Sequence, residues 1–196
     1  MQTSNGPARF HLDTPDGVPA GGLVVLGHGA GGGTRSVDLL AAREAALAAG
    51  FRVALVEQPW RVRGRKVAEP PAKLDVGWVE VLQQLSGTPL VVGGRSAGAR
   101  VACRTAAAVG ADAVLCLAFP LHPPGRPERS RLPELEAVGV PVLVVQGDRD
   151  AFGVPPGAVL VPGADHGFRV TKGLQGAGPQ VRQHVEAWLR EVASRT

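Results

Sequence analysis

Three residues of this chain have the types, the order and the settings that nucleophilic acyl chemistry needs: Ser96, Asp150 and His166. Ser96 lies in Gly94-Arg95-Ser96-Ala97-Gly98, a G-x-S-x-G segment. Between a strand and a helix, such a segment makes a sharp turn that lifts the serine hydroxyl above a sheet. A side chain two residues before or after the serine would collide with a neighbouring strand or helix, hence the glycines. The turn also aims the hydroxyl at a helix N-terminus, where the N–H of Ala97 can hold an oxyanion. With 27 glycines among 196 residues, this pattern arises by chance in roughly one such sequence in ten. Its weight therefore rests on its flanks. Leu90-Val91-Val92-Gly93 reads as a buried strand before it, and an Ala/Val-rich helical stretch follows.

The base and the acid come later in the chain. Val142-Leu143-Val144-Val145-Gln146 leads into Gly147-Asp148-Arg149-Asp150, and Val159-Leu160-Val161 leads into Pro162-Gly163-Ala164-Asp165-His166. A histidine after the last strand can swing over the sheet edge toward Ser96. A histidine in that place can act as the base that takes the serine proton and returns it. A carboxylate then fixes the tautomer and stabilises the imidazolium. Asp150 is the expected acid, because it emerges past the strand end. Asp148 is expected to tie its own turn, and Asp165 to be a turn residue. His11, His122 and His184 lack comparable settings for a base.

Leu23-Val24-Val25-Leu26 enters Gly27-His28-Gly29-Ala30-Gly31-Gly32-Gly33. A turn of this kind after a central strand offers a second N–H to an oxyanion, and Ala30 is the expected donor. His28 reads as a loop-bracing residue. The same stretch also fits G-x-G-x-x-G through Gly27, Gly29 and Gly32, with Glu57 where a ribose-binding acid would fall. That dinucleotide-binding alternative has no use for the GRSAG turn or for Asp165-His166-Gly167.

The elements that must position these residues alternate along the chain. Buried strands are expected at 23–26, 53–57, 90–93, 113–119, 142–146 and 159–161, with an edge strand at 8–12. Ser36 can cap a helix running to Ala49, with Gly50 as its exit. Leu74, Trp78, Val81, Leu82 and Leu85 share one helical face. A third helix runs from the GRSAG turn to Val109. The last starts after Pro179 and presents Val181, Val185, Trp188, Leu189 and Val192. Alternation of this sort specifies the α/β class: a mostly parallel central sheet with helices on both faces, in one compact domain over 1–196. Two Pro/Arg-rich connections, 58–73 and 120–131, follow strands and should lie at the carboxyl edge, where open α/β sheets bind ligands.

Composition removes several other classes. No apolar run is long enough for a transmembrane helix, and Met1 to Phe10 lacks the layout of a signal peptide. A cytoplasmic location with no membrane association is expected. Cys103 and Cys116 form no C-x-x-C pair and read as buried thiols. The net charge of +4 comes from Arg scattered among Asp and Glu without an aromatic stacking set, so no nucleic-acid partner is expected. No metal and no organic cofactor is called for. No residue pattern specifies an oligomeric state.

The GHGAGGG, GGRSAG and GADHGF segments together resemble those of dienelactone-hydrolase-like α/β-hydrolases. The nearest flavour is a small lidless branch that includes a testis-expressed hydrolase-like protein and a subunit of a nonspecific-lethal chromatin complex. The resemblance spans roughly 23–189. It implies the compact, lidless α/β-hydrolase fold and a triad of Ser96, Asp150 and His166. Dienelactone hydrolases proper use a cysteine nucleophile, so their substrate does not carry over to a chain with Ser96. Members of the branch also act as interaction proteins, which makes an idle scaffold binding a protein partner the rival to a serine hydrolase of ester, thioester or related acyl bonds. The expected partner of the enzyme is a small acyl substrate. The run Arg61-Val62-Arg63-Gly64-Arg65-Lys66 suggests an anionic one, since guanidinium forks suit carboxylates and phosphates. Trp60, Arg61, Arg63 and His122 are the candidate substrate contacts. A solvated basic loop is the plainer account of the run.

Overall fold

The computed structural model describes residues 1–17, 21–174 and 176–195. A short amino-terminal ribbon, β1 (Gln2–Thr3) and β2 (Gly6–Pro7), precedes the edge strand β3 (Arg9–Asp13). Then come β4 (Leu23–Gly27), α1 (Val37–Ala48), β5 (Arg52–Glu57), α2 (Pro59–Val62) and α3 (Pro71–Leu82). The second half holds β6 (Leu90–Arg95), α4 (Ala97–Thr105), β7 (Ala113–Leu117), α5 (Leu132–Glu136), β8 (Val142–Gly147), β9 (Val159–Val161) and α6 (Ala177–Ser194).

The main sheet has seven strands in the order β3-β5-β4-β6-β7-β8-β9. Strands β4 to β9 run parallel, and only β3 pairs antiparallel, on β5. Parallel strands need both faces covered, and the side chains of β4 show how this is met. Val24 and Leu26 join a core with Leu39, Val181 and Leu189 of α1 and α6. Leu23 and Val25 join a second core with Trp78, Val81, Val101 and Ala102 of α3 and α4.

The chain leaves β4 for β5 on one side and returns to β6 on the other. This reversal makes a crevice at the carboxyl ends of β4 and β6. The 28–36 loop and the turn at Ser96 both open there.

Several boundaries differ from the sequence reading. Strand β7 stops at Leu117 because Ala118 takes a positive φ of 49°, although Ala118 and Phe119 are as buried as the strand itself. Helix α6 begins two residues before Pro179, which sits in the first turn where its missing N–H costs nothing. Ser36 takes the N-cap position of α1 but makes no side-chain cap bond. Cys103 and Cys116 are free and buried, with their sulfurs 3.4 Å apart.

Candidate active site

Ser96 is the hinge between β6 and α4. Its backbone stands at φ 53°, ψ −109°, a sparsely populated conformation for a residue with a side chain, costing on the order of 1–3 kcal/mol. Packing enforces it. A Cβ at Gly94 would overlap the carbonyl oxygen of Gly27, and one at Gly98 would stand 2.5 Å from that same oxygen. The two glycines therefore let the turn close against the end of β4. A Cβ at Gly29 would in turn lie 3.4 Å from the Cβ of Ser96, so the 28–36 loop rests on the serine.

The structure brings together the three residues singled out from the sequence. His166 Nε2 is 3.0 Å from Ser96 Oγ, and His166 Nδ1 is 2.8 Å from Asp150 Oδ2. The carboxylate can only accept, so Nδ1 carries the proton and Nε2 is left to accept from the serine hydroxyl. The Asp150 side chain is fully enclosed. Its Oδ2 also accepts from Gln146 Nε2 at 2.7 Å, and its Oδ1 from the N–H of Phe152 at 2.8 Å. The Phe152 ring lies against the imidazole, with centroids 4.1 Å apart.

Asp148 points elsewhere. Its Oδ1 accepts from the N–H of Gly163 at 2.7 Å, so it joins the β8 exit to the turn before His166 rather than closing its own turn. Asp165 caps the histidine loop, accepting from the N–H groups of Gly167 and Arg169. Ala97 is the first residue of α4, where N–H groups have no intrahelical acceptor. Ala30 is exposed and directly follows the Gly29 that packs on Ser96.

His28 is 2% exposed and bonded on both nitrogens. Its Nδ1 donates to the carbonyl of Gly29, and its Nε2 accepts from the N–H of Gln58 at 3.1 Å. It thus ties the 28–36 loop to the end of β5. Burial holds its pKa below the usual imidazole value, although the Gly29 carbonyl works in the opposite direction.

Of the four expected substrate contacts, Trp60 needs correction, and the other three are placed as follows. Trp60 is 2% exposed and belongs to the core beside His28, so it offers almost no surface to a ligand. A proline at the first position of α2 turns the chain inward there, where an open loop was expected. Arg63 is engaged by Glu69 at 2.5 Å and lies over Gly6 of the amino-terminal ribbon. Arg65 reaches the same carboxylate at 3.6 Å. Arg61 is half-buried, acts electrostatically on His28, and has no ion-pair partner among the described residues. His122 is half-buried; its Nδ1 donates to the carbonyl of Pro123, and its backbone N–H donates to the carbonyl of Phe152.

The dinucleotide alternative fails on geometry as well. Helix α1 begins at Val37, well past Gly32, so the glycine loop does not deliver a phosphate onto a helix N-terminus as a dinucleotide turn must. Glu57 faces Arg9 of the edge strand at 3.9 Å.

The model of the alpha/beta hydrolase domain family matches residues 20–193. The chain belongs to the α/β-hydrolase family. Solved structures of similar fold include an alpha-beta serine hydrolase homologue from Coxiella burnetii, at 16% identity and TM-score 0.72, covering 97% of this chain and 94% of that one. Est1E from Butyrivibrio proteoclasticus is similar at 17% identity and TM-score 0.73, with 95% of each chain covered. A dienelactone hydrolase from Anabaena variabilis is similar at 20% identity and TM-score 0.72, covering 97% of this chain and 94% of that one. Comparison with curated proteins finds no match. As an α/β-hydrolase it is compact: the 58–73 connection holds only the short α2 before α3 begins, the 120–131 connection holds turns without a helix, and among the described residues no lid stands over Ser96.

Sequence reasoning missed Gln146, Phe152, Arg95 and Asp38. Two of these left a trace. Gln146 is a polar residue at the end of an otherwise apolar strand, and Asp38 is a carboxylate in the first turn of a helix that buries the same side. Arg95 Nε is 3.1 Å from Asp38 Oδ2, off the hydrogen-bonding direction, and Arg95 Nη2 donates to the carbonyl of His166 at 2.8 Å. Burial pushes the Asp38 carboxyl above its ordinary value, and the Arg95 charge counters that.

Proposed function

We propose that this α/β-hydrolase is a serine esterase, cleaving an ester, thioester or related acyl bond of a small molecule through an acyl-enzyme. The observation that carries the reading is the continuous hydrogen-bonded chain from Ser96 Oγ through His166 to the enclosed Asp150. Ser96 attacks the acyl carbonyl while its proton passes to His166 Nε2. The tetrahedral oxyanion is held by the N–H groups of Ala97 and Ala30. His166 then protonates the leaving alcohol or thiol, which departs as the carbonyl re-forms. A water molecule, deprotonated by the same imidazole, attacks the acyl-enzyme, and its collapse releases the acid and restores Ser96. No step calls for a metal or an organic cofactor.

An anionic group on the substrate is the finer proposal, and Arg61 is the cation that supports it. The proposed setting is the cytoplasm. No helix among the described residues is long and apolar enough to cross a membrane.

The test is labelling of the purified chain by a fluorophosphonate, together with hydrolysis of a panel of esters of varied length and charge. The wild type should be labelled and should turn over at least one ester. Ser96→Ala should do neither. An unlabelled, inactive wild type would favour the scaffold reading.

A further inference from the structure

Arg95 occupies the variable position before the serine in the G-x-S-x-G turn, yet its side chain does not face solvent. It is 15% exposed, and its partner Asp38 is wholly buried. The guanidinium meets three segments that are remote in sequence. Nη2 donates to the carbonyl of His166 at 2.8 Å. Nε stands 3.1 Å from Asp38, in the first turn of α1 and so at the far end of the 28–36 loop. Nη1 lies 3.1 Å from where a Cβ of Gly29 would be, directly under the residue before Ala30. We infer that Arg95, held in place by Asp38, is a positioning residue that sets the His166 loop and the 28–36 loop in register with Ser96. This rests on the reading of Ser96 and His166 as nucleophile and base.

The physical case is one of precision. His166 lies in a loop, and hydrolysis needs its Nε2 within hydrogen-bond reach of Ser96 throughout the reaction. Asp150 fixes the ring from one side, but a ring turns and shifts with its backbone. Arg95 grips that backbone at the carbonyl of the same residue, and it does so from the residue next to the nucleophile. The distance between base and nucleophile is thereby set through one rigid side chain. A planar guanidinium suits this, since one N–H group can hold the His166 carbonyl while the delocalised charge stays beside the buried Asp38, whereas a lysine ammonium is a single point charge that cannot reach both. An ion pair this enclosed is a weak contributor to stability, because desolvation offsets its attraction. A positional role accounts for its presence better than a stabilising one.

Two variants test the inference in the full chain. Asp38→Leu/Arg95→Met removes both charges together and so avoids a lone buried carboxylate. Arg95→Lys keeps the charge beside Asp38 but loses the fork. Each is measured for melting temperature, fluorophosphonate labelling rate, and kcat and KM on an ester that the wild type hydrolyses. The expected result is a melting temperature close to wild type for at least one variant, an unchanged KM, and a kcat and labelling rate lower by about a hundredfold, the scale of an ångström-sized misplacement. A folded variant of either kind that labels and turns over at the wild-type rate would overturn the inference while leaving Ser96 and His166 in their roles. A wild type that the probe does not label would remove both readings together.

Discussion

Gln146 Nε2 stands 2.7 Å from the same Asp150 oxygen that receives the His166 N–H. The acid thus faces its histidine with a second donor already bonded. That donor is fully buried and also reaches the carbonyls of Phe119 and Gly153 at 3.2 and 3.0 Å. A hydrogen bond to a buried charge contributes about 1.5–3 kcal/mol. Gln146→Leu should therefore lower kcat by roughly ten- to a hundredfold and also lower the melting temperature, since two backbone acceptors lose their partner. A Gln146→Leu enzyme with wild-type kcat would show that Asp150 needs no such support.

The two aspartates after β8 should separate cleanly. Asp150→Asn leaves the ring facing an amide, which favours the wrong tautomer, and kcat should fall by about 10⁴. Asp148→Asn keeps an oxygen for the Gly163 N–H and should leave kcat near wild type. Steady-state kinetics on both variants decide this; the larger loss in Asp148→Asn would transfer the acid role.

The site was more legible than its supports, for a physical reason. Ser96, His166 and Asp150 sit at strand exits, where apolar runs end abruptly and glycine marks a turn. Chain order and turn chemistry therefore expose them. The strands were legible for the same reason: β4 is buried over its whole length, so an unbroken apolar run is its signature. Contacts between remote side chains leave no local trace. Arg95 reaches Asp38 and His166 across the fold, and nothing near it in sequence announces either. Trp60 went the other way. Its basic neighbours suggested an open loop, but a proline-started helical turn folds the indole into the core.

Trp60→Ala is therefore a stability mutation. Loss of a buried indole from a packed core costs about 3–5 kcal/mol. Denaturant unfolding should register that loss, while KM values across an ester panel keep their rank order. A reordered panel at unchanged stability would restore Trp60 to the pocket wall.

The basic connection makes an uneven prediction. Arg63 is engaged by Glu69, whereas Arg61 has no ion-pair partner among the described residues. An anionic ester should show a lower KM than a neutral ester of equal size, and added salt should narrow the gap, since partly exposed charges are screened. Arg61→Ala should remove the preference and Arg63→Ala should leave it. Equal KM values for the two esters in the wild type would reduce the segment to a solvated loop.

His28 should make the protein lose stability on the acid side of neutrality. Its pKa is lowered in the fold, by burial first of all. Its Nε2 is already accepting from the Gln58 N–H, so a second proton there would break the tie to β5. The unfolded chain has no such obstacle and takes up the proton near pH 6.5. Below that value the unfolded state binds more protons than the native state, so stability is fully present above it and declines as the pH falls through the lowered native pKa. Melting temperature followed from pH 7.5 to pH 5 should fall for the wild type. His28→Gln can keep a donor toward Gly29 or an acceptor toward Gln58, carries no titrating ring, and should fall less steeply from a lower starting point. Parallel curves for the two proteins would mean that His28 does not cause this loss.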